Sequence, residues 1–574
     1  MKRSGLIFFA LLVVGASSFF VIKNSGRTPN ESINLAVNTF SKTFDPAIVF
    51  NDDSLTVLGQ SMESLYQYHY LKRPFEVIPA LADGMPKISP DGLIYTIQIK
   101  KGIFYHPHKN ILKKNREVIV DDFILQIKRL AFAPLKSTGA FLFEGKLKGF
   151  EEFRNEVGSD FEKFLSTEME GVVKLDDYTF EIHLERPEPN LIYFLAMTFV
   201  TPIPLELIEA YKNDLTEVLV GTGPYIYEGL ENRVYKFRKN PHFREEFYPT
   251  EGDRDANTSN LVKSSRERLP FIEKLKIHVM TNEDERWQSF LDGEVDILDV
   301  PKKFLSEVNS PSAEELQVFD EQGIEIKHFP SQSNRWLGFN MNDPVVGDNL
   351  NLRKAIAHAI NYERYIEVLT KNTNLRSNSI YNPSINGYNP SHYPPYEYNL
   401  EKAKLFLQKS GYKPGELTIT YSTRGTQEIH YKEGEFLQAQ LAEIGINLKI
   451  EVITFSDFLK LGRAGKLQFF TDSWIYDYPD SENLIQLLIS KNHPGVNKCG
   501  YSNQKVDELY KRLSRTLQKD RRLEIMREVE QIVEEDLPWV LLAYDSAYVV
   551  NYQHIENYRK SFFSRNFVKY LETY

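Results

Sequence analysis

A single cysteine among 574 residues, Cys499, leaves no internal disulfide to form and no thiolate set for a zinc or iron–sulfur site. Basic charge is also in short supply: 69 Lys and Arg stand against 79 Asp and Glu, a formal charge of −10. That balance argues against a nucleic-acid scaffold, whose affinity would come from releasing phosphate counterions. Catalytic signatures are missing as well. There is no Gly-x-Ser-x-Gly elbow, no His-Glu-x-x-His and no dinucleotide fingerprint. The turn Gly221-Thr222-Gly223-Pro224-Tyr225 lacks the glycine spacing and the Lys-Ser/Thr pair of a phosphate loop. At 42% hydrophobic and 26% charged, the composition excludes a collagen, a coiled-coil rod, a disordered chain and a multi-pass membrane protein. What is plentiful is aromatic surface, 13% of the chain, with 38 Phe and 32 Tyr. Most of it belongs in cores, but so many tyrosines suit surfaces that are covered part of the time. The length gives a prior of about three or four domains, or fewer large ones.

Met1-Lys2-Arg3 is a short basic segment, and residues 6–22 follow without a charge until Lys23. This is the pattern of an export signal. Gly15-Ala16-Ser17-Ser18 offers cleavage points, and retention as a single N-terminal anchor is the alternative, because the apolar stretch is near the lower limit for spanning. With no cysteine here, a lipid-modified N-terminus is excluded. An exported protein held by no lipid needs a compartment to keep it, and the periplasm is the natural one.

From Ser32 onward, strand-like and helix-like segments alternate, the pattern of an α/β protein. Residues 33–37, 93–100 and 178–184 read as strands. Residues 54–66 carry apolar side chains at helical spacing, followed by Tyr68 and Tyr70. Asp121 is read as the N-cap of a helix running to about Leu130, with Asp122 in its first turn. The charged stretch 245–268 reads as a solvated excursion. Further on, helices at 286–291, 351–361, 401–408 and 435–444 alternate with strands at 295–298, 336–340, 417–421 and 446–453. The run 417–453 forms a strand–helix–strand unit whose strands should be parallel. Two charged amphipathic helices, 506–517 and 520–534, end before Pro538.

His106-Pro107-His108 could offer two imidazoles to a metal, but the intervening proline and the lack of nearby carboxylates favour an exposed turn. Cys499 reads as structural, with no positioned base beside it. No cofactor or metal is expected. The segment that stands out is Ser473-Trp474-Ile475-Tyr476-Asp477-Tyr478-Pro479-Asp480. A carboxylate partly withdrawn from water among aromatics favours a cationic partner, either an internal Arg or Lys or a ligand ammonium. A turn-capping role for Asp477 or Asp480 beside Pro479 is the other reading.

The order of these segments resembles that of extracytoplasmic solute-binding proteins of ABC importers, in the family that includes dipeptide- and oligopeptide-binding proteins (bacterial solute-binding family 5). Carrying the resemblance are Thr43-Phe44-Asp45-Pro46-Ala47, Ile78-Pro79-Ala80-Leu81-Ala82, Ser89-Pro90-Asp91-Gly92-Leu93 and Lys100-Lys101-Gly102-Ile103-Phe104. Arg238-Lys239-Asn240-Pro241, Asn351-Leu352-Arg353-Lys354-Ala355 and Trp474 to Pro479 follow in the family's order. The resemblance implies a two-lobed, class II periplasmic-binding fold that closes on its ligand by hinge motion. It places lobe I at 31–58, 171–281 and 541–574, an inserted domain at 59–170 and lobe II at 282–540, after a signal or anchor at 1–30. The implied ligand is a short peptide held as an added strand, with a nickel chelate, an oligosaccharide or an opine-like solute as alternatives. The implied partners are the transmembrane subunits of an ABC permease, engaged by a monomer. Trp474-Ile475-Tyr476-Asp477 matches the Trp-x-x-Asp segment whose aspartate meets a peptide's α-ammonium. Backbone groups of Ser473 and Ile475 would pair with the ligand main chain, and Phe455 would line a side-chain pocket. No Arg or Lys transfers as the partner of a ligand carboxylate.

Overall fold

The computed structural model describes residues 31–574, so the expected export signal or anchor at 1–30 lies outside the described residues. Ile33, Leu35 and Val37 alternate inward on the strand Ser32–Val37, which pairs in parallel with Lys274–Val279. This pair sits within an 11-stranded sheet. On one side the sheet continues through Val234–Lys239 to Tyr225–Glu231, and on the other through Ile297–Asp299. Two long antiparallel strands, Ile324–Phe339 and Trp539–Tyr552, then lead to Phe469–Ile475, Leu417–Ser422 and Ile446–Glu451.

The two long strands join the lobes. Their outer halves pair from Ile324↔Tyr552 to Pro330↔Ser546, their inner halves from Asn334↔Tyr544 to Gly338↔Trp539, with a register break between Pro330 and Asn334. Proline contributes no ladder N–H, so the break falls where the sheet is weakest against bending. One lobe's core gathers around Ile33, Leu35, Tyr235 and Leu275, and the other's around Leu337, Ile356, Ile419 and Phe469. A third core gathers around Tyr95, Phe123, Leu130 and Phe180, and we assign it to the inserted domain. The mixed α/β, two-lobed architecture is the one the sequence implies.

Sheet pairing shifts the domain limits that we assign. Ile94–Gln98 pairs with Thr179–His183, so the inserted domain continues past residue 170. Ile297–Asp299 pairs beside Ser32–Val37, so we place the passage into the second lobe within Ile324–Phe339, later than residue 282.

Local expectations fared unevenly. The strand–helix–strand unit is present as Leu417–Ser422, Glu428–Ala442 and Ile446–Glu451, parallel with Leu417 opposite Ile446. The helix read over 54–66 is shorter, Asp52–Leu58, capped by Asn51. The chain then extends, and Tyr66–Tyr68 pairs with Val77–Pro79. The helix expected from Asp121 is Val120–Ala131, and Asp122 rather than Asp121 serves its start, accepting from the Ile119 N–H at 3.1 Å. His106 is buried, not in an exposed turn: Nε2 lies 3.0 Å from the Gly223 carbonyl, and burial lowers its pKa to about 4. The stretch 245–268 is tied down rather than freely solvated. Tyr248 and Ala256 are buried against Tyr70 and Tyr570, and Asp253 meets Arg559 at 2.7 Å. Cys499 is buried, with the Trp539 indole N–H 3.1 Å from its sulfur, and burial pushes the thiol up to about 12, which makes it unreactive.

Candidate functional site

The strand Phe469–Ile475 is central in the sheet at its start and open at its end. Its full length pairs with the long strand Ile324–Phe339, from Ser333↔Ile475 to Phe339↔Phe469. On its other edge Leu417–Ser422 covers only Phe469 and Phe470. The Tyr476 N–H donates to the Gln332 carbonyl at 3.0 Å. Because an antiparallel ladder alternates, Trp474 shares that direction, and Ser473 and Ile475 turn their backbone groups to the uncovered edge. The Ser473 N–H is taken by its neighbour's carboxylate, Asp472 Oδ1, at 2.9 Å. That leaves the Ser473 carbonyl and both backbone groups of Ile475 facing the space between the lobes.

Past the strand end the chain turns at Pro479 and enters the short helix Glu482–Ile485. This fold-back brings Asn483 against Trp474 and Asp477. The Asn483 Oδ1 accepts from the Trp474 indole N–H at 2.8 Å and from the Asp477 N–H at 3.1 Å. Its Nδ2 donates to Asp477 Oδ2 at 3.1 Å. Asn483 is itself buried, so the carboxylate is fixed in place. Asp477 remains reachable from the cleft, yet protein crowds it enough that desolvation raises its pKa above the ordinary carboxylate value, with Asn483 pulling the other way.

Three aspartates lie close together here with different fates. Asp472 is paired with Lys498 at 2.6 Å and Arg424 at 3.3 Å. Asp480 is paired with Arg522 at 2.7 Å and also accepts from the Glu482 N–H at 3.0 Å, so it is the residue that caps the turn. Asp477 has no ion pair among the described residues. It lines two neighbouring cavities of about 610 and 520 Å3 between the lobes. The first is also lined by Lys146, Arg186 and Glu188, the second by Tyr66, Tyr68 and Phe563. Neither is lined by a histidine or a cysteine.

The walls touch beside the cavities. Tyr478 stacks on Tyr193 with ring centres 6.1 Å apart, and Tyr193 in turn on Tyr68 at 6.4 Å. Asn386 Nδ2 donates to the Tyr193 hydroxyl at 3.2 Å, and Asn190 Nδ2 to Glu482 Oε2 at 3.2 Å.

Two of the residues named from sequence stand elsewhere. The ring of Tyr476 is buried in the second lobe's core near Tyr381, so it brings only backbone to the cleft. Phe455 begins the helix Phe455–Arg463, stacks on Phe458, carries the Arg424 guanidinium 4.9 Å above its ring, and lines neither cavity with Asp477. Sequence reasoning missed Asn483, Lys146 and Arg186, which sit in segments that carry no motif.

The model of bacterial extracellular solute-binding proteins, family 5, matches residues 76–495, well over half the chain. The chain belongs to that family. Among its relatives, the dipeptide-binding protein of Escherichia coli (strain K12) is 22% identical over 499 residues, covering 84% of each chain. Heme-binding protein A of Haemophilus influenzae is 22% identical over 581 residues, covering 98% of this chain and 97% of the other. Among solved structures, HbpA2 from Haemophilus parasuis superimposes with a TM-score of 0.78 at 21% identity, over 95% of this chain and 100% of the other. This family-5 chain thus keeps the two-lobed frame at low identity, and its own cleft residues must speak for its ligand.

Proposed function

We propose that the protein is the periplasmic binding component of an ABC importer, closing on short peptides and handing them as a monomer to a membrane permease. One observation carries the reading: an unpaired, hydrogen-bond-positioned carboxylate, Asp477, at the end of an uncovered strand edge in a cleft between two lobes. A peptide supplies both complements, an α-ammonium for the carboxylate and main-chain donors and acceptors for Ser473 and Ile475. Lys146 and Arg186, in the same cavity as Asp477, give a ligand carboxylate somewhere to go. Among the described residues no helix is long and apolar enough to cross a membrane. Binding a peptide through its backbone asks for no reaction, so the protein acts as a receptor and not as an enzyme.

The family spans other solutes, and a relative named for heme matches nearly the full chain. A heme iron or metal ligated by imidazole or thiolate finds no such ligand in the lining of the two cavities. Mass spectrometry of ligand released from the purified protein decides between them: short peptides are expected, and a porphyrin or metal chelate instead would overturn the peptide reading. Calorimetry with the peptides so identified should show Asp477→Asn weakening binding by about 2–5 kcal/mol, the range for removing one partner of a buried charge pair.

A further inference from the structure

On the second lobe, away from Asp477, the helix Lys519–Asp536 carries Glu530 and Glu534 one turn apart, both facing His392 in the connecting segment 377–396. His392 Nε2 lies 2.7 Å from Glu534 Oε1 and 3.9 Å from Glu530 Oε1, and the three ligand atoms all fall within 4.8 Å of one another. Side-chain exposure is 24% for His392, 4% for Glu530 and 10% for Glu534. Glu530 is held in place by the Ser379 hydroxyl and by the Ile380 N–H at 3.2 Å. Among the described residues neither glutamate has a Lys or Arg in ion-pair contact. Two carboxylates, Glu530 buried and Glu534 half-buried, therefore face one imidazole with no cationic side chain beside them. Removing an uncompensated carboxylate from water is costly.

We propose that His392, Glu530 and Glu534 form a divalent transition-metal site, taking Zn2+ through one imidazole nitrogen and two carboxylate oxygens, with water in the remaining position. The donor set is one zinc accepts, three protein ligands and an open position. Ligand distances of about 2.0–2.2 Å put neighbouring tetrahedral donors roughly 3.3–3.6 Å apart, so the 2.7 Å contact opens by about 0.6–0.9 Å while the 3.9 Å contact to Glu530 closes by about half an ångström. The metal replaces the missing positive charge and fastens the segment 377–396 to the helix. That same segment reaches the cleft, where Asn382 Nδ2 donates to the Ser333 carbonyl at 3.0 Å and Asn386 meets Tyr193. The site stands apart from peptide recognition and does not depend on it.

The test uses untagged, chelator-stripped full-length protein titrated with zinc chloride, read by calorimetry and by metal analysis after desalting. One equivalent of zinc is expected. Glu534→Gln, which keeps the side chain's shape, and His392→Ala should each weaken binding by ~100-fold or more, given that loss of an outer-shell partner already costs 10–100-fold. Asp477→Asn should leave both stoichiometry and affinity unchanged, and circular dichroism checks that each variant is folded. No zinc bound by the wild type at micromolar concentrations would overturn the proposal. So would zinc binding that persists in both cluster variants, or one that is lost in Asp477→Asn.

Discussion

A single carboxamide organises the anchor. Asn483 satisfies the Trp474 indole, the Asp477 amide and one Asp477 oxygen at once. Truncating it leaves the carboxylate charged but free to rotate, so Asn483→Ala should weaken peptide binding by about 1–2 kcal/mol, less than Asp477→Asn. Calorimetry of both single variants and the double variant checks this, and the double variant should lose less than the sum because the two residues act through one contact. Asp477 could be found in the sequence because Trp-x-x-Asp is a local spacing. Asn483 could not, since its role exists only once Pro479 has folded the chain back over the strand end. Tyr476 shows the same limit from the other side. An aromatic next to a functional aspartate looks like a cleft wall, but strand alternation sends its ring into the core.

Elements are legible where a period repeats and obscure where one element serves two lobes. The inward alternation of Ile33, Leu35 and Val37 is enough to find its strand. The 16-residue strand Ile324–Phe339 is legible only at its inner end, because His328, Pro330 and the polar run from Ser331 to Arg335 break the alternation where it runs between lobes. The Thr43 to Ala47 block was likewise recognised before its purpose was. Asp45 accepts from both terminal nitrogens of Arg129, at 2.9 and 2.5 Å, and Arg129 lies on the inserted domain's helix Val120–Ala131. Asn213 Oδ1 accepts from the Arg129 Nε at 2.6 Å, and both charged partners are fully buried. This pair fastens the inserted domain to the first strand's lobe. Asp45→Ala strands a buried guanidinium and should cost about 3–5 kcal/mol in urea unfolding, without touching the cleft. A double replacement by apolar residues of similar volume should recover much of that loss.

At the scale of the whole molecule, the approach of the two walls sets two carboxylates opposite one another. Glu188 precedes Asn190, the residue that bridges to Glu482 across the cleft. Facing Glu188 are Lys146 and Arg186 on its own wall, with Glu482, Tyr478 and Tyr510 from the other, and the Asn190 N–H donates to its Oε1 at 3.2 Å. Burial and then Glu482 push Glu188 from 4.5 up to about 7, with Lys146 pulling the other way. Between pH 4.5 and about 7 the folded protein keeps a proton that the unfolded chain has released. Stability from this group is therefore greatest at low pH and falls as pH rises through that window. The loss is on the order of 3 kcal/mol, since Glu188 is only 6% exposed and solvent screens it little. Glu188→Gln holds the same shape with no charge to bury. Urea unfolding at pH 5 and pH 8 should show the variant matching the wild type at the lower pH and exceeding it at the higher. Two profiles that stay parallel would mean that the cleft tolerates the charge on Glu188. If they diverge, ligand affinity should follow them, because a lobe arrangement that costs less to close leaves more of the binding energy for the peptide.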